Sequence, residues 1–90
     1  MKKRLHAFFS GSVQGVGFRF TTERMARKFP VAGFVKNLPN GQVELVAEGE
    51  EESLKEFLGA VREAFHSYIQ EVEAQWDKAT GAFKDFGIRF

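Results

Sequence analysis

The first residues that could do chemistry together are Val13-Gln14-Gly15-Val16-Gly17-Phe18-Arg19, which hold two glycines, one arginine and no acid. Gly15 and Gly17 can take backbone conformations barred to residues with a Cβ. Consecutive N–H groups can then converge into a concave nest for an anion. A helix starting at the end of this stretch would add its own unpaired N–H groups and positive dipole end. Arg19 falls in or just before that first turn, and its planar fork can take two oxygens of a phosphate or carboxylate. Together these groups suit a tetrahedral oxyanion. The same residues would also make a plain glycine-rich turn with a surface arginine, and the stretch alone does not decide. Gly11, Gly15 and Gly17 are spaced G-x-x-x-G-x-G. That is neither the P-loop G-x-x-x-x-G-K-[ST] nor the dinucleotide fingerprint G-x-G-x-x-G.

A strand and a helix must hold this loop. Residues 4–12 read as a strand with Leu5, Ala7 and Phe9 on one face. Residues 18–29 read as a helix with Phe18, Thr22, Met25, Ala26 and Phe29 on its inner side, stopped by Pro30. Residues 33–38 and 42–48 read as a hairpin turned at Pro39-Asn40-Gly41, with Val43, Leu45 and Ala47 inward. Residues 50–65 carry Leu54, Phe57, Leu58, Val61 and Phe65 at helical spacing, and Glu50, Glu51 and Glu52 suit the helix's positive end. Residues 68–76 form a further strand, where the three-residue step from Ile69 to Val72 suggests a bulge. Phe86, Ile88 and Phe90 alternate in a last short strand. The order βαββαβ plus one strand is the split βαβ, or ferredoxin-like, α+β arrangement. It places two helices on one face of a mainly antiparallel sheet of four to five strands.

Ninety residues make a single domain, residues 1–90. The 43% hydrophobic content, with eleven Phe expected mostly in the core, suits a globular chain. There is no Cys, which excludes disulfides, thiolate metal ligands and a thiol nucleophile. No apolar run approaches the roughly 20 residues of a membrane helix, so no membrane partner is expected. The basic start, interrupted by His6, reads as a strand rather than a signal peptide. The cytoplasm is the default compartment. Net charge is +1, yet residues 1–45 carry +6 and residues 46–90 carry −5. A positive field near the loop would draw in a negative substrate.

A second stretch, Gly33-Phe34-Val35-Lys36-Asn37-Leu38-Pro39-Asn40-Gly41-Gln42-Val43-Glu44, follows in order. The pair V-Q-G-V-G-F-R and G-F-V-K-N-L-P-N-G-Q-V-E closely resembles the two signature segments of the acylphosphatase family. Gly49 and the final F-G-I-R-F also resemble family features, and the similarity runs along essentially the whole chain, as in small free-standing members. Phe34 stands for the common Trp, Asn40-Gly41 for an Asp-Gly turn, and His66-Ser67-Tyr68 for a Gly-Pro pair. The resemblance implies hydrolysis of the anhydride between a carboxylic acid and phosphate. It implies a phosphate-binding loop at Gln14, Gly15, Val16, Gly17, Phe18 and Arg19, with Arg19 neutralising the phosphate. It further implies that Asn37 positions the attacking water, that no metal or cofactor takes part, and that the fold is ferredoxin-like. The partner is then a small acyl phosphate, with inorganic phosphate as product and inhibitor, and a monomer is expected. An acyl phosphate already carries a good leaving group, so positioning and charge stabilisation can suffice.

Other residues weigh less. His6 and His66 lie sixty positions apart without metal-ligand spacing, on a strand and at a helix end. Ser10, Ser12, Thr21 or Thr22 is expected to cap the helix. Phe18 and Phe34 are expected to shield the site from water. An RNA-binding module of the same fold would need exposed rings on its central strands, and Q-V-E-L-V-A-E offers acids there, so no nucleic-acid partner is expected. The remaining alternative is a non-catalytic anion-binding or regulatory module.

Overall fold

The alternating residues at the start of the chain form β1 (Lys2–Gly11) in the computed structural model, which describes residues 1–90. It leads through the glycine loop into α1 (Phe18–Ala26), then β2 (Ala32–Asn37), β3 (Val43–Glu50), α2 (Glu51–Ala64), β4 (Ile69–Lys78) and β5 (Phe86–Arg89). The sheet order is β4-β1-β3-β2-β5. All neighbours are antiparallel except β2 and β5, which run parallel, so the five-stranded sheet is mixed. The expected ferredoxin-like frame is therefore present, with β5 as an added edge.

One face of the sheet is closed by both helices. Leu5, Ala7, Phe9, Val35, Val43, Leu45 and Ala47 meet Phe18, Ala26, Leu54, Phe57, Val61 and Phe65 in one buried cluster. Strand alternation sends the intervening residues to the other face. Only Phe9, Phe18, Phe57 and Phe65 among the phenylalanines are buried, which corrects the expectation that most of them are core. Phe29 and Phe86 pack at the edge of the cluster against Phe57, while Phe34 and Phe83 lie against the cation of Arg89.

α1 ends earlier than its apolar spacing suggested. The N–H groups of Arg27, Lys28 and Phe29 each donate to the carbonyl three residues back. Three-residue bonds tighten the last turn before Pro30, where a regular helix cannot continue. The bulge expected between Ile69 and Val72 is there. Ser10 pairs with Glu71 and Gly11 with Ile69, leaving Gln70 as the extra residue. Gly11 is required opposite it: its φ is 124°, and a Cβ would come within 2.4 Å of the Tyr68 carbonyl oxygen.

At the other end of the sheet, Glu48 is 7% exposed and fully occupied. Its carboxylate accepts from Arg4 Nε at 2.7 Å, from Thr80 N and Oγ1 at 2.9 Å each, and from Gly81 N at 2.9 Å. Burial opposes ionisation most strongly, but the Thr80 N–H, Arg4, the Thr80 hydroxyl and the Gly81 N–H together outweigh it. The carboxyl is lowered to about 2. This knot ties the long β4–β5 connection to the sheet. The outer edge of β4 has no partner strand, and Glu71, Glu73, Gln75 and Asp77 share its face away from the helices.

Candidate active site

The end of β1, the start of α1 and the end of β2 meet at one corner of the molecule. Gly15 has φ 80°, and Gly17 has φ 78° and ψ 19°, both left-handed. A Cβ at either would meet nothing within 4 Å, so glycine is needed for backbone conformation and not for space. Gly17 is the N-cap of α1 and no side chain caps the helix, contrary to the expectation for Ser10, Ser12, Thr21 or Thr22. Ser10 Oγ instead accepts from Gln42 Nε2 at 2.9 Å. Without a capping side chain the helix start keeps its donors free. None of the N–H groups from Val13 to Phe20 donates to a backbone carbonyl. Such a run of idle donors, with the helix dipole behind it, is an anion nest.

Arg19 is the second residue of α1, half-buried, with no carboxylate partner. The ring of Phe90 lies 4.8 Å from its guanidinium carbon. A ring on the guanidinium face leaves the N–H edge available to an oxyanion. Asn37 is the last residue of β2 and shares the helix-side face with Val35. Its Oδ1 is buried and accepts no hydrogen bond. A buried acceptor without a donor is costly, and such a group in a native structure calls for an explanation.

A cavity of about 140 Å³ joins these groups, lined by Val13, Gly15, Gly17, Phe18, Arg19, Phe20 and Asn37. Larger hollows lie elsewhere on the surface and include neither Arg19 nor Asn37. Gly15, Gly17, Phe18, Arg19 and Asn37 therefore come together as expected. Gln14 and Val16 do not line the cavity, although their N–H groups belong to the free run. The Gln14 side chain turns to the β2–β3 hairpin, where Nε2 donates to Leu38 O at 2.8 Å and Gln42 O at 2.9 Å. It thus fastens the glycine loop to the residue after Asn37.

Phe18 forms part of the cavity wall from the core side. Phe34 does not shield the site: it sits on the opposite face, 3.9 Å from the Arg89 guanidinium carbon. Sequence reasoning missed Phe20, Phe90 and the Gln14 clamp. Phe20 had a readable signal, being an aromatic next to Arg19 but off the inner stripe of α1. His6 Nε2 lies 2.7 Å from Glu44 Oε2, and His66 Nδ1 lies 3.2 Å from Glu63 O, each away from the cavity. No three His, Asp or Glu side chains converge as a metal site would need.

A ferredoxin-like α+β domain thus carries at one corner a run of free backbone donors, an arginine without a carboxylate partner and an unpartnered amide oxygen, a set of groups suited to an oxyanion. The acylphosphatase family model matches residues 5–88, and the chain belongs to the acylphosphatase family, a family of hydrolases. It is 39% identical to an acylphosphatase of Caldanaerobacter subterraneus subsp. tengcongensis, over 98% of this chain and 99% of that one. An acylphosphatase of Salinibacter ruber is 40% identical over 98% of this chain and 94% of its own. The crystal structure of acylphosphatase from Bacillus subtilis superposes with a TM-score of 0.90 at 33% identity, covering 98% and 99% of the two chains.

Proposed function

We propose that the protein hydrolyses small acyl phosphates to a carboxylate and inorganic phosphate at the corner built by Arg19, Asn37 and the glycine loop. In this reading the N–H groups of Gln14 to Arg19 and the Arg19 guanidinium hold the phosphoryl oxygens. Their donors are fixed before the reaction, so charge that develops on those oxygens is met without reorganisation. Asn37 Oδ1 accepts a hydrogen from the attacking water and aims its oxygen at phosphorus. The new bond joins water oxygen to phosphorus. The bond from phosphorus to the acyl oxygen breaks, and its electron pair leaves with the carboxylate. Asn37 cannot take a proton, so the water's proton passes to a phosphoryl oxygen or to solvent. The reaction needs no metal or cofactor. Inorganic phosphate, as product, competes for the same nest.

The observation that carries this reading is the buried, partnerless Oδ1 of Asn37 in the cavity that Arg19 and the loop share. A module that only held an anion would use the loop and Arg19 but would have no task for that oxygen. In this reading the chain acts as a monomer in the cytoplasm. The test is turnover of benzoyl phosphate, with and without EDTA. Steady hydrolysis unaffected by EDTA is expected. A folded sample without turnover would reject the enzyme reading, and strong EDTA inhibition would reject the metal-independent one.

A further inference from the structure

We infer that Phe20 in the cavity wall, with Phe90 against the neighbouring Arg19, forms an apolar rim that receives the acyl group, so that the preferred substrates are aromatic or long-chain acyl phosphates. The inference rests on the hydrolytic reading above and names the substrate class of the same site. Phe20 is 59% exposed and stands outside the core cluster, yet it lines the cavity shared by Gly15, Gly17, Arg19 and Asn37. Phe90 is 87% exposed, and its ring lies 4.8 Å from the Arg19 guanidinium carbon. Of the chain's exposed large hydrophobic residues, these two border the phosphate site, while Tyr68 and Trp76 belong to the β4 side. A large ring left in water costs free energy unless something covers it during function.

The small cavity, about 140 Å³, takes the phosphoryl group and its attacking water beside Arg19 and Asn37. The acyl group then runs along the cavity wall and out of it, where exposed Phe20 lines the wall and Phe90 lies against Arg19. The carbonyl end is common to all acyl phosphates, so discrimination falls to the apolar part. An acetyl group covers little of a ring. A benzoyl group can stack on one.

The test compares kcat/KM for benzoyl phosphate and acetyl phosphate in the parent, Phe20→Ala and Phe20→Trp. Taking the ratio between substrates within each variant cancels their intrinsic reactivities. Phe20→Ala should lower the benzoyl-to-acetyl ratio about tenfold, the scale of uncovering one stacked ring. Phe20→Trp should keep or raise the ratio. Phe90→Ala should lower it about two- to threefold. Inhibition by inorganic phosphate, which lacks an acyl group, should shift far less than the ratio. Equal losses on both substrates in Phe20→Ala, or no change in either, would overturn the rim. Absence of turnover of both substrates by the folded parent would instead overturn the hydrolytic reading on which the rim rests.

Discussion

Arg19 and Asn37 should fail differently when removed, because the proposed mechanism sets one against the phosphate and the other against the water. Arg19→Gln takes away the only charge in the nest and should lower kcat/KM by about 10²–10³-fold or more, the scale of losing a fixed oxyanion donor. It should also raise the inhibition constant for inorganic phosphate. Asn37→Ala should lower kcat on a similar scale and leave phosphate inhibition nearly intact. Parallel measurements of turnover and phosphate inhibition separate the two, and equal loss of phosphate binding in both variants would overturn this division. Arg24, in the last turn of α1 and outside the cavity, is the control, and Arg24→Gln should match the parent. No histidine enters the cavity, so the pH profile should lack a limb that follows imidazole titration. The loop glycines and Arg19 were legible in sequence as a candidate anion site, because glycine and arginine have few substitutes at such a turn. The role of Asn37 was legible only through its resemblance to a family segment. Nothing in its own spacing shows that strand alternation points its amide at a loop eighteen residues earlier.

Elements hold these residues at fixed distances, and two side chains do most of the fastening. Gln14 spends both amide hydrogens on carbonyls of the β2–β3 hairpin, so the phosphate loop and the strand end bearing Asn37 are one unit. Gln14→Ala should cost about 1–2 kcal/mol of stability, as expected for two lost hydrogen bonds to partly buried carbonyls. It should also lower kcat, since misplacement on the ångström scale is costly in rate. Gln14→Glu should be worse than alanine on both counts, because it sets a carboxylate against two carbonyl oxygens. Glu48 fastens the opposite end. Its folded carboxyl is lowered from 4.5 to about 2, so it contributes stability above pH 4.5. That contribution drains away as the pH falls from 4.5 towards 2. Glu48→Gln should therefore unfold more easily at pH 7 and show a flatter pH dependence of unfolding between pH 4.5 and 2. A chemical-denaturation series across that range checks both. Periodicity revealed the faces of β1, β3 and α2, and even the bulge at Gln70, because these follow from neighbours in sequence. It could not reveal the parallel pairing of β2 with β5 or the four donors to Glu48. Those contacts join residues 32 or more positions apart, and no local pattern encodes them.

The molecule as a whole mixes the charge blocks that the sequence separates. Basic β1 lies between acidic β4 and β3, so pairs such as Arg4–Glu48 consume part of the +6 and −5 contrast. The field at the phosphate corner should be modest, and kcat/KM should fall only mildly with added salt. The core is less forgiving. Phe57 packs its ring 5.6 Å from both Phe29 and Phe86, joining α2, the turn that follows α1, and β5. Phe57→Ala should cost about 3–5 kcal/mol, a large share of the 5–15 kcal/mol typical of a domain, and thermal unfolding would show it directly. The row Glu71, Glu73 and Asp77 on β4 has a consequence for crowded solutions. An unpaired edge is a template for another copy of itself. Yet two β4 strands aligned about a twofold axis would set Glu73 against its own image, or Glu71 against Asp77 of the other copy. Such like-charge contacts oppose the pairing of two β4 edges. Neutralising the row as Glu71→Gln, Glu73→Gln and Asp77→Asn should increase self-association relative to the parent, which sedimentation would reveal as a concentration-dependent rise in mass.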